Sequence, residues 1–443
     1  MNNILSIEHR DLTDALMTIP SESLNKLREE LVRVSLLRGG AYMTHDHVIR
    51  LPLDHDILLA AKQMAERYYT SNLKYIILIG IGGQNLGVKA IYDALRGSLD
   101  MASRHSPKII FLDAIDPEMF HELREILHAE VRVKEEILIS LSSKSGGTTE
   151  TIANFELLRA FLNKHIDGID QRIVVTTDAE SPLHKVATKM GYGILLMPQM
   201  VGGRFSVFSH AGIFPLLLAG IDVISLLDGA RGVLDAERES SNSNQTAKFA
   251  AESIFREMTV GHCNILNIFH FHPELESLGK WERQLIAESL GKKNDISGRE
   301  IRSGITPIVS IGSTDLHSMA QLYFGGPKDK MTIIVRANRT TTERIPSDGV
   351  LHDVAPALSM RSPVELNDAI YQGVVRAYHK NKLPVVLVTL PSVSAVAIGA
   401  YMEWRMLVVI YLATLLHVDP YNQPNVEDYK EETRVILGHL GKK

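Results

Sequence analysis

Short aliphatic runs recur along the chain, separated by longer stretches in which apolar residues return every three or four positions. The runs at 75–79, 108–112, 137–141 and 172–176 read as buried strands, and the stretches between them as amphipathic helices. Strands that alternate with helices predict a parallel sheet, because parallel neighbours need crossover connections. Ligands of such sheets sit beyond the carboxyl ends of the strands, where Gly80 and Ser143 would emerge on one rim. A helix-rich middle follows at 206–220, 221–237 and 247–260. Strand-like runs then resume at 264–269, 307–311, 331–336 and 384–389 and predict a second α/β unit. Residues 339–354, with scattered charges and few apolar positions, read as a surface excursion. The expected division is 40–205, then 206–423 with 1–39 packed on it, then a C-terminal helix in 424–443 behind the turn residues 420–424. The two halves share a pattern but too little identity to establish a repeat.

Composition narrows the class without naming a chemistry. At 443 residues the chain is long enough for two or three cores, and 45% hydrophobic with 22% charged residues is ordinary for a globular protein. A net charge of −5 gives no general surface for polyanions, so no nucleic-acid partner is expected and any phosphate must be met by local groups. A single cysteine, Cys263, excludes an intrachain disulfide and fits a reducing compartment, with the cytoplasm as the default. Acids and bases among residues 1–11 stand where an export signal needs an apolar core, so no export is expected. The apolar segment 406–418 is shorter than the ~20 residues of a membrane span and reads as a buried helix, so no membrane partner is expected either.

The most informative stretch is Ser142-Ser143-Lys144-Ser145-Gly146-Gly147-Thr148-Thr149-Glu150-Thr151, between a strand and a helical pattern. Free N–H groups at a helix start, surrounded by hydroxyls and a lysine, can close around a dianion without a metal; the plainer alternative is a Ser/Thr-rich helix cap. Gly80-Ile81-Gly82-Gly83-Gln84-Asn85-Leu86-Gly87 lets backbone approach a polar ligand, or is an ordinary tight turn. It also invites a dinucleotide reading, with Asp113 as the ribose-binding acid, but Asn85 stands where the third glycine is needed. In Val201-Gly202-Gly203-Arg204-Phe205-Ser206 a permanently charged arginine can face a ligand oxyanion or form a surface ion pair. Gln284 and Glu288 lie one helical turn apart and share a face, although Lys292 offers Glu288 an ordinary i,i+4 partner. In Thr314-Asp315-Leu316-His317-Ser318 a threonine or aspartate can cap a helix whose first turn holds His317, a placement suited to proton exchange or a plain surface histidine. His262, Cys263, His270 and His272 could suggest a metal, but no further carboxylate or thiol completes a ligand set, and an edge strand explains the alternation of the last two.

In order, these pieces resemble the phosphoglucose isomerase family, particularly its shorter bacterial form. The family's GIGGSxLG is matched at Gly80–Gly87, SK[ST]xxTxET at Ser143–Thr151, and GGR[YF]S at Gly202–Ser206. Its Q-L-x-x-E-S-x-G-K is matched at Gln284–Lys292, its histidine motif at Thr314–Ser318, and its Q-x-x-V-E-x-x-K at Gln423–Lys430. The resemblance implies two doubly wound domains of sugar-isomerase type, with mainly parallel sheets and flanking helices, and interconversion of glucose 6-phosphate and fructose 6-phosphate with no cofactor and no metal. Ser143, Lys144, Ser145, Thr148 and Thr151 would bind the sugar phosphate, with Gly82 and Gly83 on the substrate rim. Glu288 would move a proton between C2 and C1, Arg204 would stabilise the cis-enediolate, and Gln284 would assist. His317, partnered by Glu150 and supplied by the other subunit of a homodimer, would help open the sugar ring, with Lys430 beside the ring oxygen and Gln423 contacting substrate.

That chemistry suits these residue types. Removing a proton beside a carbonyl generates an enediolate, which needs a carboxylate in reach and a fixed cation at the oxygens. Returning the proton one carbon away needs only a small movement, so one glutamate serves both half-steps while remote phosphate binding holds the carbon skeleton. Glu288 is therefore expected to be partly desolvated. Gln84 departs from the family serine and removes a hydroxyl from the rim, Gly146-Gly147 loosens the phosphate loop, and Pro424 replaces a variable residue. Two other readings stand beside the isomerase: a sugar-phosphate sensor that has lost catalysis, supported by Gln84, and a dinucleotide oxidoreductase.

Overall fold

A computed structural model describes residues 5–13, 21–37, 39–239 and 246–440; the first four residues of the N-terminal segment and the last three of the C-terminal one lie outside the described residues. In chain order the strands are β1 (Ser6–Arg10), β2 (Tyr75–Ile79), β3 (Lys108–Leu112), β4 (Ile137–Ser142), β5 (Ile173–Thr177), β6 (Gly193–Leu196), β7 (Ile265–His270), β8 (Lys292–Asn294), β9 (Glu300–Ser303), β10 (Thr306–Ile311), β11 (Lys330–Ala337) and β12 (Val385–Leu390). Eight of them fall within a residue or two of the aliphatic runs. The others are short or lie at edges, where alternation is weak.

The first sheet runs β3-β2-β4-β5-β6, all parallel. Its strands are buried on both faces, which is why they read as unbroken apolar runs. Ile76 and Leu78 pack with Val88 and Ile91 of the helix Leu86–Arg96, whereas Ile77 and Ile79 pack with Phe155 and Leu158 of the helix Thr149–Leu162. The helix leaving β2 therefore covers one face and the helix leaving β4 the other. Because β2 and β4 are neighbours, their carboxyl ends flank a topological switch point, the crevice where open α/β sheets bind ligands.

The second sheet repeats the order as β10-β7-β11-β12 and adds β1 antiparallel along β12, with Ser6 opposite Thr389. An N-terminal edge strand pairs without a crossover, so no helix announces it. Here the comparable crevice, beyond β7 and β11, is spanned by an Arg339–Glu274 ion pair. β7 is an interior strand, not an edge. His270 is fully buried on it, and His272, also buried, bonds the main chain of Ala337. Residues 339–354 contain no helix or strand, and Val350, Leu351 and Val354 are exposed.

Between the sheets lies the helix Ala395–Leu415, against Val223–Glu239 and Ala247–Thr259. The segment 406–418 foresaw only its second half. It is long and apolar enough to cross a bilayer, but 89% of its most apolar window is buried in this fold. Helices cross closely here: a Cβ on Gly229 would stand 1.9 Å from the Val396 carbonyl, and one on Gly399 1.9 Å from that of Leu226. The helix Glu276–Leu290 buries Leu278, Trp281, Leu285, Ile286 and Leu290 at helical spacing. Its fully buried Glu282 forms an ion pair with Arg405, Nε to Oε1 at 2.6 Å, and accepts from Tyr401 OH at 2.6 Å, which fixes that helix to the central one. A lone buried carboxylate would be costly, so each partner requires the other.

Candidate active site

Ile79 and Leu141 are paired across β2 and β4, so the two following loops leave the sheet side by side. Both lead into helices whose first turns lack a side-chain cap, Leu86–Arg96 behind Asn85 and Thr149–Leu162 behind Thr148, whereas Asp54, Asp116, Ser181 and Ser362 cap theirs. Uncapped first-turn N–H groups at the mouth of a switch point suit an anion. Around the second of these helices stand Ser145, exposed, and Ser143, whose Oγ lies 3.1 Å from Thr148 Oγ1. Thr151 is 2% exposed and its Oγ1 has no partner. Lys144 bonds the Gln199 carbonyl at 3.1 Å, and burial draws its ammonium below the usual range against the opposing pull of Asp178. Glu150 is partly buried in the helix's first turn.

Gly146 tightens this loop where the sequence suggested loosening. It turns at φ +68°, and a Cβ there would lie 2.9 Å from both Leu183 N and Ser181 Oγ. The turn is braced below by Thr177, whose Oγ1 donates to the Ser143 carbonyl at 2.7 Å. Gln84 is also turned away from the rim: it is 7% exposed, and its Oε1 accepts a 2.6 Å bond from Ser142 Oγ. The longer amide thus ties the β2 loop to the end of β4. Asn85 Nδ2 donates to Asp113 at 2.7 Å, so the acid considered for a ribose is already engaged.

The first glycine loop also sets the position of Arg204. A Cβ on Gly83 would be 2.1 Å from the Gly203 carbonyl carbon and 2.3 Å from Arg204 N, so the two loops meet backbone to backbone. Ser206 Oγ reinforces the contact, reaching the Gly203 and Gly83 carbonyls at 2.7 and 3.2 Å. Gly82 faces the opposite way, its missing side chain leaving room for Gln284 Nε2, 3.0 Å from where a Cβ would be.

Arg204 is 3% exposed, and its guanidinium is divided between two tasks. Nε donates to Ser289 Oγ at 2.8 Å, while Nη2 donates to the Asn422 carbonyl at 3.1 Å and to the Pro420 carbonyl. These anchor it. Nη1 faces two side chains, Gln423 Oε1 at 2.9 Å and Glu288 Oε2 at 3.3 Å. Burial lowers the arginine's pKa from its ordinary value, and the charges of Glu288 and Asp419 oppose that, yet a guanidinium stays protonated. Glu288 completes the group: its side chain is 31% exposed, and its Oε1 accepts from Gln284 Nε2 at 2.9 Å. Gln284 Oε1 is buried without a partner. A half-shielded carboxylate, held between an amide and a fixed cation, can take a proton from a neighbouring C–H while the cation receives the resulting negative oxygen.

Gly82, Gly83, Arg204, Gln284, Glu288 and Gln423 therefore gather at one place, and the Gln84–Ser142 bond links it to the loop of Ser143, Lys144, Ser145, Thr148 and Thr151. Two candidates stand outside it within the chain. His317 is exposed, and it lies between the turn Thr314–Leu316 and the helix Ala320–Gly325, not in a helix's first turn. Asp315 caps no helix with its side chain; it accepts from Ile311 N and Ser318 Oγ, both at 2.7 Å. Lys430 Nζ bonds Glu427 at 2.7 Å within the exposed helix Glu427–Leu440. Lys292, read as a surface partner of the Glu288 carboxylate, bonds its main-chain carbonyl instead, at 2.7 Å, and the Asn422 carbonyl at 2.5 Å. Sequence reasoning missed Ser289 and Asn422; the latter acts through its backbone, which no side-chain pattern reveals.

The family model Phosphoglucose isomerase matches residues 64–443. A protein of Rubrobacter xylanophilus named glucose-6-phosphate isomerase is 32% identical over 400 residues, spanning 89% of this chain and 89% of the relative. One of the same name from Leuconostoc mesenteroides is 31% identical over 435 residues, 95% of this chain and 92% of its own length. Among solved structures, a hypothetical protein of Thermus thermophilus superposes with a TM-score of 0.80 at 29% identity, covering 98% of this chain and 99% of that one. A glucose-6-phosphate isomerase of Chlamydia trachomatis shares the fold, with a TM-score of 0.78 at 19% identity over 100% of this chain and 90% of its own.

Proposed function

The chain belongs to the phosphoglucose isomerase family, and from that premise we propose how its own residues interconvert glucose 6-phosphate and fructose 6-phosphate. The phosphate sits at the uncapped start of the helix Thr149–Leu162, held by Ser143, Lys144, Ser145, Thr148 and Thr151. The carbon chain runs from there along Gly82 and Gly83. Glu288 takes the C2 proton of the opened aldose, electrons move toward C1–O, and the cis-enediolate oxygens exchange onto Arg204 Nη1, which gives up Gln423 or Glu288 in return. The proton on O2 passes to O1, C2–O closes to the ketone, and Glu288 delivers its proton to C1. Gln284 orients the carboxylate through Nε2 and offers Oε1 to a substrate hydroxyl.

One observation carries this reading: the Glu288 carboxylate lies between Gln284 Nε2 at 2.9 Å and Arg204 Nη1 at 3.3 Å, on a helix locked into the core. The division of labour follows the two sheets. Residues 40–205 bind the phosphate, 206–423 carry the base with the described part of 1–39 packed on them, and the helix Glu427–Leu440 closes the site. Ring opening falls to His317 of a second subunit, partnered by Glu150, with Lys430 beside the ring oxygen. The exposure of His317, and of Tyr429, Val435, Ile436 and Leu437 on the C-terminal helix, favours a homodimer. We place the enzyme in the cytoplasm, in glycolysis and gluconeogenesis. Formation of glucose 6-phosphate from fructose 6-phosphate, followed by coupled NADP reduction with chelator present, is expected at full rate. Its absence from pure, folded protein would overturn the assignment.

A further inference from the structure

The ammonium of Lys292 has two neighbours that belong to different parts of the site. The helix Glu276–Leu290 ends at Gly291, and its last turn leaves carbonyls without helical donors, that of Glu288 among them. Lys292 Nζ donates to the Glu288 carbonyl at 2.7 Å and, across the chain, to the Asn422 carbonyl at 2.5 Å. The Asn422 carbonyl also accepts from Arg204 Nη2 at 3.1 Å. One backbone oxygen is thus gripped by both buried cations, next to Gln423. The rest of that segment is fastened elsewhere: Asp419 accepts from Tyr421 N at 2.8 Å and Asn422 Nδ2 at 2.7 Å, and Tyr421 OH donates to Asp46 at 2.5 Å.

We propose that Lys292 is a positioning residue for the isomerisation, a clamp that fixes the backbone of the base Glu288 against the segment carrying Gln423 and against Arg204. This rests on Glu288 being the base. The lysine is 5% exposed and no side-chain counter-ion touches it among the described residues, and a buried ammonium so placed is costly unless its bonds do something. Its charge suits the negative end of the Glu288 helix. Burial, then the charge of Arg204, draws its pKa down to about 8, with Asp419 and Glu288 pulling the other way. The clamp is therefore mostly charged at neutral pH and weakens as pH rises through that value.

The cavity beside Lys292, lined also by Asp295, Asp419, Asn422 and Asn425, makes a direct test available because a small amine can enter. Lys292→Ala is expected to lose roughly 10–100-fold in kcat, as an ångström-scale misplacement of a base does, while inorganic phosphate binds as tightly as before. Ethylammonium should restore much of the lost kcat and ethanol should not. The alkaline fall of wild-type kcat near pH 8 should vanish in Lys292→Arg. If Lys292→Ala is too unstable to assay, Lys292→Arg carries the test alone through that pH profile. A kcat within twofold of wild type in Lys292→Ala, or a loss untouched by ethylammonium with an unchanged pH profile in Lys292→Arg, would overturn the clamp. Near-normal turnover in Glu288→Gln would instead remove the mechanism beneath it.

Discussion

Adding a single methyl group at Gly83 tests whether contact between two glycine loops places Arg204, the cation proposed to receive the enediolate oxygens. The added Cβ would meet the Gly203 carbonyl carbon at 2.1 Å and Arg204 N at 2.3 Å, and ordinary contact begins near 3.4 Å, so the loops must part by more than an ångström. No flexible side-chain end is available to yield, because both obstacles are backbone. Overpacking of this kind costs about 1–3 kcal/mol of stability. The catalytic effect should be larger than partial unfolding can explain: Arg204 is carried on the displaced backbone, and an ångström of misplacement costs on the order of 100-fold in rate, or about 2.7 kcal/mol. The assay is kcat for fructose 6-phosphate at a temperature where circular dichroism shows the variant fully folded. Gly373→Ala is the control: that glycine is exposed in the helix Pro363–Lys380, with nothing within 4 Å of the added carbon. The control should keep full activity and gain a few tenths to 1 kcal/mol. A Gly83→Ala enzyme with kcat within threefold of wild type would refute the idea that this contact positions Arg204.

Ser145→Ala, at the exposed turn of the phosphate loop, should raise KM for fructose 6-phosphate about 10-fold and leave kcat within twofold, because it removes one charge-assisted bond remote from the reacting carbons; a fall in kcat with unchanged KM would argue against it. Stability should fall as pH drops below about 6.5, since burial pushes the His270 pKa down to about 3 and only the unfolded chain takes up that proton. Urea titrations at pH 5 and 7 should show the difference shrinking in His270→Gln, and an undiminished difference would assign the acid sensitivity elsewhere.

Much of this fold was legible because buried parallel strands must be apolar throughout: β2 and β3 coincide with their runs residue for residue. The illegible parts have physical reasons. β1 pairs antiparallel at an edge, and the β8–β9 hairpin is only half buried, so neither carries a strong pattern. Side-chain motifs singled out Glu288, Gln284 and Arg204, which the fold gathers, but not that Lys292 serves a backbone carbonyl, nor that Gln84 turns beneath the rim. Spacing names Glu288 as the neighbour of Lys292 but not that its carbonyl, rather than its carboxylate, is the acceptor, and the partners across the chain, Asn422 for Lys292 and Ser142 for Gln84, leave no mark in the sequence. The sensor reading leaned on Gln84 alone, and with that amide bonded to Ser142 it loses its support.

The most direct measurement follows hydrogen at C2. In wild-type enzyme, glucose 6-phosphate labelled at C2 should lose that hydrogen to solvent or transfer it to C1 of fructose 6-phosphate during turnover. In Glu288→Gln, folded and still protected against heat by inorganic phosphate, both exchange and isomerisation should fall by several orders of magnitude. Exchange at an undiminished rate in that variant would contradict the account, because the proton would then be moving through some group other than the carboxylate held between Gln284 and Arg204.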